Sequence, residues 1–82
     1  MFSFDIKKPD DITAALKSVE HKITSSGGAF TGNEQSGSFS NSKGDVAGRY
    51  FIEANGIKIM IIKKPFIYPD SAVESRIREY FE

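Results

Sequence analysis

Apolar and polar residues alternate at the start of the chain. Phe2, Phe4 and Ile6 are separated by polar residues up to Lys7. A period of two is typical of a strand with one buried face. The pattern therefore predicts a first strand that ends before Pro9, whose ring restricts the backbone of the residue before it.

The period changes to three or four between residues 10 and 26, which predicts a first helix there. Asp10 and Asp11 place negative charge at its N-terminus, where the helix dipole favours it. Gly27 supplies the left-handed conformation that commonly ends a helix. The apolar stripe consists of Ile12, Ala15, Leu16, Val19 and Ile23.

The segment 28–44 has only two large apolar residues among Gly, Ser, Thr and Asn. A structureless segment of that length is unusual in a compact domain. We therefore expect two short strands, Ala29–Gly32 and Gln35–Ser40, around a turn at Asn33. One flexible loop is the alternative.

Two further strands are predicted at 46–53 and 57–63, joined by Asn55-Gly56. That dipeptide favours a type I′ turn, because both residues tolerate positive φ. The second of these strands is apolar on both faces, which is typical of a strand at the centre of a sheet. Its two faces carry Ile57, Ile59 and Ile61 on one side and Met60 and Ile62 on the other.

An apolar connector, Phe66 to Tyr68, follows the last strand between two prolines. Such a connector either plugs the end of the core, which we expect here, or is exposed as a contact surface. Ser71 and Glu74 then have the spacing of a capping box. The apolar stripe that follows predicts a second helix.

The predicted element order is β-α-β-β-β-β-α in a single domain spanning residues 1–82. A right-handed crossover makes the first strand parallel to the second. The first strand is then antiparallel to the fifth and can pair with it. We expect an α+β two-layer sandwich in which both helices cover one face of an antiparallel sheet of about five strands. The pattern leaves open which face they cover.

Composition excludes several classes of site. Without cysteine, and with one histidine, the chain has no disulfide, no thiolate metal site and no multi-histidine site. Eleven acidic and eleven basic residues give no net charge, which argues against nucleic-acid binding. No apolar run approaches the ~20 residues of a membrane span. The first residues also lack the apolar run of a signal peptide, so we expect a cytoplasmic protein.

Catalytic chemistry has little support in the sequence. Gly32–Ser38 has the outer glycines of a phosphate loop but lacks its lysine. An enzyme would have to use carboxylates such as Glu34 and Asp45, which flank the Ser/Gly strand. We therefore predict no catalytic residue, no metal and no cofactor. Arg49 and Lys58 would form a small cationic patch, for which single-stranded nucleic acid is the conceivable ligand.

The C-terminal half resembles a known family. A glycine-containing polar strand precedes Asp45-Val46-Ala47-Gly48, and Ile57-Lys58-Ile59, Pro65-Phe66 and an amphipathic helix follow. This arrangement is similar to the polyhydroxyalkanoic-acid system family of small bacterial proteins, and the resemblance covers most of the chain. It implies association with polyester granules and carries over no catalytic residue.

The sequence therefore predicts a non-catalytic interaction module that binds a second copy or another protein. The alternative is a carrier of an apolar small molecule in a cavity between helices and sheet. A chain of 82 residues leaves little room for the ~300 Å³ that a ligand needs. A granule surface is the partner that the resemblance implies. The predicted contact residues are Phe51, Met60, Ile62, Phe66 and Tyr68.

Overall fold

The computed structural model describes residues 2–81, which form a five-stranded antiparallel sheet and two helices. The predicted α+β class and element order are confirmed. The strands are β1 (Phe2–Lys7), β2 (Ala29–Gly32), β3 (Ser36–Ser40), β4 (Ala47–Glu53) and β5 (Gly56–Lys63), and the helices are α1 (Ile12–Ser25) and α2 (Asp70–Phe81).

The sheet order is β1-β5-β4-β3-β2, and every neighbouring pair is antiparallel. β1 pairs with β5, with Phe2 opposite Ile61 and Ile6 opposite Ile57. The crossover through α1 thus carries the chain from one edge of the sheet to the other. β5 lies between β1 and β4, as its two apolar faces predicted.

Both helices pack on the sheet face that carries Ile57, Ile59 and Tyr50, each of which has no exposed surface. Complete burial of a side chain of this size contributes roughly 2 kcal/mol to folding. The rest of the core comes from β1, α1, β3, β5 and α2 and comprises Ile6, Leu16, Val19, Ile23, Phe39, Ile61, Val73, Ile77 and Phe81.

In the glycine-rich part of the sheet, two glycines each pack against an aromatic ring of the neighbouring strand. Gly37 lies opposite Tyr50, and Gly48 lies opposite Phe39. A Cβ added to Gly37 would lie 2.4 Å from Tyr50 Cε2, and one added to Gly48 would lie 2.7 Å from Phe39 Cζ. The rings therefore occupy the space that side chains at these glycines would fill. This packing explains why segment 28–44 forms two strands despite its few apolar residues.

Side-chain hydrogen bonds stabilise the start of α1 and the turn between β2 and β3. Asp11 caps α1, since its Oδ1 accepts a hydrogen bond from the Ala14 amide at 3.1 Å. Gly27 follows the helix with φ of 94°, as predicted. In the turn between β2 and β3, Asn33 Oδ1 accepts hydrogen bonds from the two amides that lead into β3, at 2.8 and 3.1 Å.

The predicted type I′ turn at Asn55-Gly56 is wrong. Neither residue has positive φ, and Gly56 is already the first residue of β5. A Cβ at Gly56 would lie 2.8 Å from the carbonyl oxygen of Ile6. The glycine therefore permits the close approach of β1 and does not serve a left-handed turn.

The predicted capping box at the start of α2 is also wrong. The helix begins at Asp70, so Ser71 lies inside its first turn. The amides of Ala72 and Val73 donate hydrogen bonds to the Pro69 carbonyl oxygen instead. Glu74 accepts a hydrogen bond from Arg78 Nε at 2.9 Å. Its carboxylate therefore binds a residue in the next turn of the helix.

Candidate functional site

The sheet face opposite the helices is uncovered by the rest of the described chain, and we call it the open face. Phe51 of β4 and Met60 and Ile62 of β5 lie on it, because they alternate with the core residues of those strands. Met60 is 39% exposed and Ile62 is 47% exposed, while Phe51 is half-buried. We call these three residues the apolar strip.

The strand register makes the apolar strip continuous. Phe51 lies opposite Lys58, which is two residues from Met60 on β5. Phe51 and Met60 are therefore diagonal neighbours, a separation that large side chains bridge. The central strand β4 and its neighbour β5 thus contribute to one apolar surface.

Charges of both signs border the strip. Arg49 lies opposite Met60 on one side, and Asp5 lies opposite Lys58 on the other. Arg49 and Lys58 share the open face with Phe51, as the cationic-patch hypothesis requires. Asp5 next to Lys58 offsets that positive charge, which weakens the case for a phosphate ligand.

The connector between β5 and α2 does not plug the core, contrary to our expectation. Phe66 is 92% exposed, Ile67 is 71% exposed and Tyr68 is 38% exposed. Lys64 Nζ donates a hydrogen bond to the Tyr68 carbonyl oxygen at 2.7 Å and forms an ion pair with Asp70 at 3.2 Å. These contacts close a turn on its polar side and leave its apolar tip in solvent.

A cleft of about 330 Å³ opens on the helix side of the sheet. Buried side chains form its floor: Ile23 of α1, Phe39 of β3, and Val73 and Ile77 of α2. Tyr68 lies at its rim, so the structure separates it from Phe51, Met60 and Ile62 on the open face. The expectation that the chain has little room for a ligand-sized cavity is wrong. Part of the wall consists of small side chains, which leave the space unfilled: Ser26, Ser40 and Ala72.

Arg76 is the one charged residue that lines this cleft within residues 2–81. Its Nε lies 4.0 Å from Glu79 Oε1, and both side chains are about 70% exposed. Asn41 also lines the cleft, but it is engaged with Asp45 at 2.6 Å and with the Val46 amide at 3.1 Å. The guanidinium of Arg76 is therefore the one charged group that this lining offers to a ligand.

The two carboxylates considered for catalysis, Glu34 and Asp45, do not form a pair. Glu34 lies in the turn before β3 and Asp45 in the turn after it, so β3 separates them. Glu34 accepts a hydrogen bond from Thr13, and Asp45 accepts one from Asn41. No cluster of three His, Asp or Glu side chains that could hold a metal occurs within residues 2–81.

Tyr50 has the one perturbed titratable group resolved in the described chain. Burial raises the pKa of Tyr50, and the negative charge of Glu20 raises it further. Its hydroxyl donates a hydrogen bond to the Asn33 carbonyl oxygen at 2.7 Å. The neutral phenol thus ties β4 to the turn between β2 and β3, which is a structural role.

Comparisons with family models, curated proteins and solved structures found no match for this chain. The resemblance to the polyhydroxyalkanoic-acid system family therefore stays a prediction. None of the helices within residues 2–81 is long and apolar enough to cross a membrane.

Proposed function

We propose that the protein is a non-catalytic interaction module that forms a homodimer through the open face. The observation that supports this proposal is the apolar strip of Phe51, Met60 and Ile62 at the centre of an uncovered sheet. Two such sheets can pack face to face about 10 Å apart, with their inner side chains interdigitated. That arrangement would remove the exposed part of the strip from water.

The charges on the open face favour a second copy over a partner of one sign. In a two-fold interface, the same surface patch of both copies is in contact. A surface of one sign would then repel itself. Here Arg49 and Lys58 of one copy can meet Asp5 of the other and the exposed Glu53, which follows Phe51 by two residues on the open face of β4. The zero net charge of the chain adds no long-range repulsion.

Sedimentation equilibrium of Met60→Lys tests the proposed interface. Met60 is 39% exposed, so lysine fits the isolated fold, but a dimer would bury its charge without a partner. We expect the dimer dissociation constant to rise about a hundredfold or more, since an unpaired buried charge costs several kcal/mol.

Ser18→Lys is the matched control, because Ser18 is an exposed residue of α1 on the other side of the molecule. This variant should dimerise as the unmodified protein does. An unmodified protein that stays monomeric, or equal dissociation constants for the two variants, would refute the open-face dimer.

This proposal carries two further predictions. The first is a cytoplasmic location. The second is association with polyester granules, for which the exposed Phe66 and Ile67 offer a contact that remains free in the dimer. Neither prediction requires a catalytic residue or a cofactor.

A further inference from the structure

We infer that the cleft on the helix side binds a small carboxylate with an apolar body. The cleft combines a buried apolar floor with a single guanidinium at its rim. A ligand that matches it places its apolar part on the floor and its negative charge at Arg76. This inference goes beyond the dimer proposal and does not depend on it.

The size and lining of the cleft define the apolar part of the ligand. A volume of about 330 Å³ lies at the lower end of the ~300–1,000 Å³ of small-molecule sites. Phe39 contributes a ring to the floor, and Tyr68 and Tyr80 contribute rings nearby. Aromatic side chains favour stacked or edge-on contact with another ring. A single ring or a short alkyl chain is therefore the body that fits.

The charge of the cleft defines the polar part. Arg76 is the sole ionisable Lys, Arg, His, Asp or Glu in the lining that the structure describes, so the cleft favours an anion over a cation. A guanidinium can bind both oxygens of a carboxylate with two parallel hydrogen bonds. The present contact with Glu79 is long and exposed, and such surface pairs are weak. A ligand carboxylate can therefore replace Glu79 at little cost.

The position of the cleft separates this inference from the proposed function. The cleft lies on the helix side of the sheet, whereas Phe51, Met60 and Ile62 lie on the open face. A failure to dimerise would therefore leave the ligand site intact. Equally, a failure to bind carboxylates would leave the dimer proposal standing.

Titration of the isotope-labelled protein with phenylbutanoate, followed by amide chemical shifts, tests the inference. We expect saturable shifts at the cleft residues Ile23, Phe39 and Ile77 and at the exposed Arg76. Phenylbutanol has the same body without the charge and should bind more weakly, and phenylbutylamine should bind most weakly. Shifts confined to the open face, no saturable shift, or equal affinity for the acid and the alcohol would overturn the inference.

Two variants that each remove one positive charge make the test specific. Arg76→Gln should weaken phenylbutanoate binding roughly two- to fivefold, as expected for a partly exposed ion pair, and should leave phenylbutanol binding unchanged. Lys17→Gln removes the same charge from the exposed side of α1, outside the cleft lining, and should leave both affinities unchanged. Both side chains are exposed, and the spectrum itself reports whether each variant is folded. Equal acid affinity for Arg76→Gln and the unmodified protein would overturn the assignment of the carboxylate to Arg76.

Discussion

Gly37→Ala tests whether the Tyr50 ring orders the glycine-rich strands. The new Cβ would lie 2.4 Å from Tyr50 Cε2 and 2.5 Å from the Thr31 carbonyl oxygen. Carbon atoms in contact are normally about 3.5–4.0 Å apart, so the ring would have to move by about 1 Å. The ring has little freedom to do so, because it stacks on Phe30 at 5.6 Å and meets Phe81 edge-on at 6.3 Å.

The expected loss of stability is about 2 kcal/mol. Overpacking of a filled core costs about 1–3 kcal/mol. A shifted ring would also weaken the 2.7 Å hydrogen bond from Tyr50 to Asn33, at a further cost of about 1 kcal/mol. Replacement of glycine within a strand returns about 0.5–1 kcal/mol of backbone entropy. The sum predicts a melting temperature lower by about 8–16 °C for a domain of this size.

Urea unfolding at one fixed protein concentration measures this loss, since dimerisation would otherwise change the apparent stability. Ser38→Ala is the control, because Ser38 is the exposed neighbour on the open face. That variant should stay within about 0.5 kcal/mol of the unmodified protein. A Gly37→Ala protein as stable as the control would refute the packing argument.

Three further predictions concern separate parts of the molecule. Burial raises the pKa of Tyr50 above its ordinary value of 10.0, so the free energy of unfolding should fall as pH rises above that value. Urea titrations should show a smaller fall for Tyr50→Phe, and an equal fall in both proteins would contradict this prediction. Asp11→Ala removes the cap of α1 and should cost about 1 kcal/mol in the same assay, whereas no loss would show that the cap is dispensable. Phe66→Ser should reduce co-sedimentation with polyester particles without a change in stability, because Phe66 is 92% exposed; an unchanged bound fraction would exclude this residue as the contact.

Element types could be predicted because periodicity reports which faces are buried. The two-sided pattern of β5 indicated a central position, and the crossover rule made β1 antiparallel to β5 and so able to pair with it. The order of the strands could not be predicted from the sequence. Local turn chemistry was less reliable. Glycine is required at position 56 for a different reason, because a Cβ there would lie only 2.8 Å from the Ile6 carbonyl oxygen. That proximity depends on a strand about fifty residues earlier in the chain.

The candidate sites were predictable only where one strand carried the signal. Met60 and Ile62 were identified from the alternation of β5 alone. The exposure of Phe66 could not be predicted, because an apolar connector has the same sequence pattern whether it lies inside or outside the core. A cavity between helices and sheet was the alternative, but its lining residues could not be predicted, because they come from separated segments and nothing local links Ile23 to Arg76.

The most direct test of the open-face dimer is an isotope-filtered NOE experiment on an equal mixture of labelled and unlabelled protein. This measurement detects contacts between copies and ignores those within one copy. A dimer formed through the open face should give intermolecular contacts from the Met60 and Ile62 methyl groups to Phe51 ring protons. Absence of such contacts at a concentration where the protein is dimeric, or contacts confined to the helices, would contradict it.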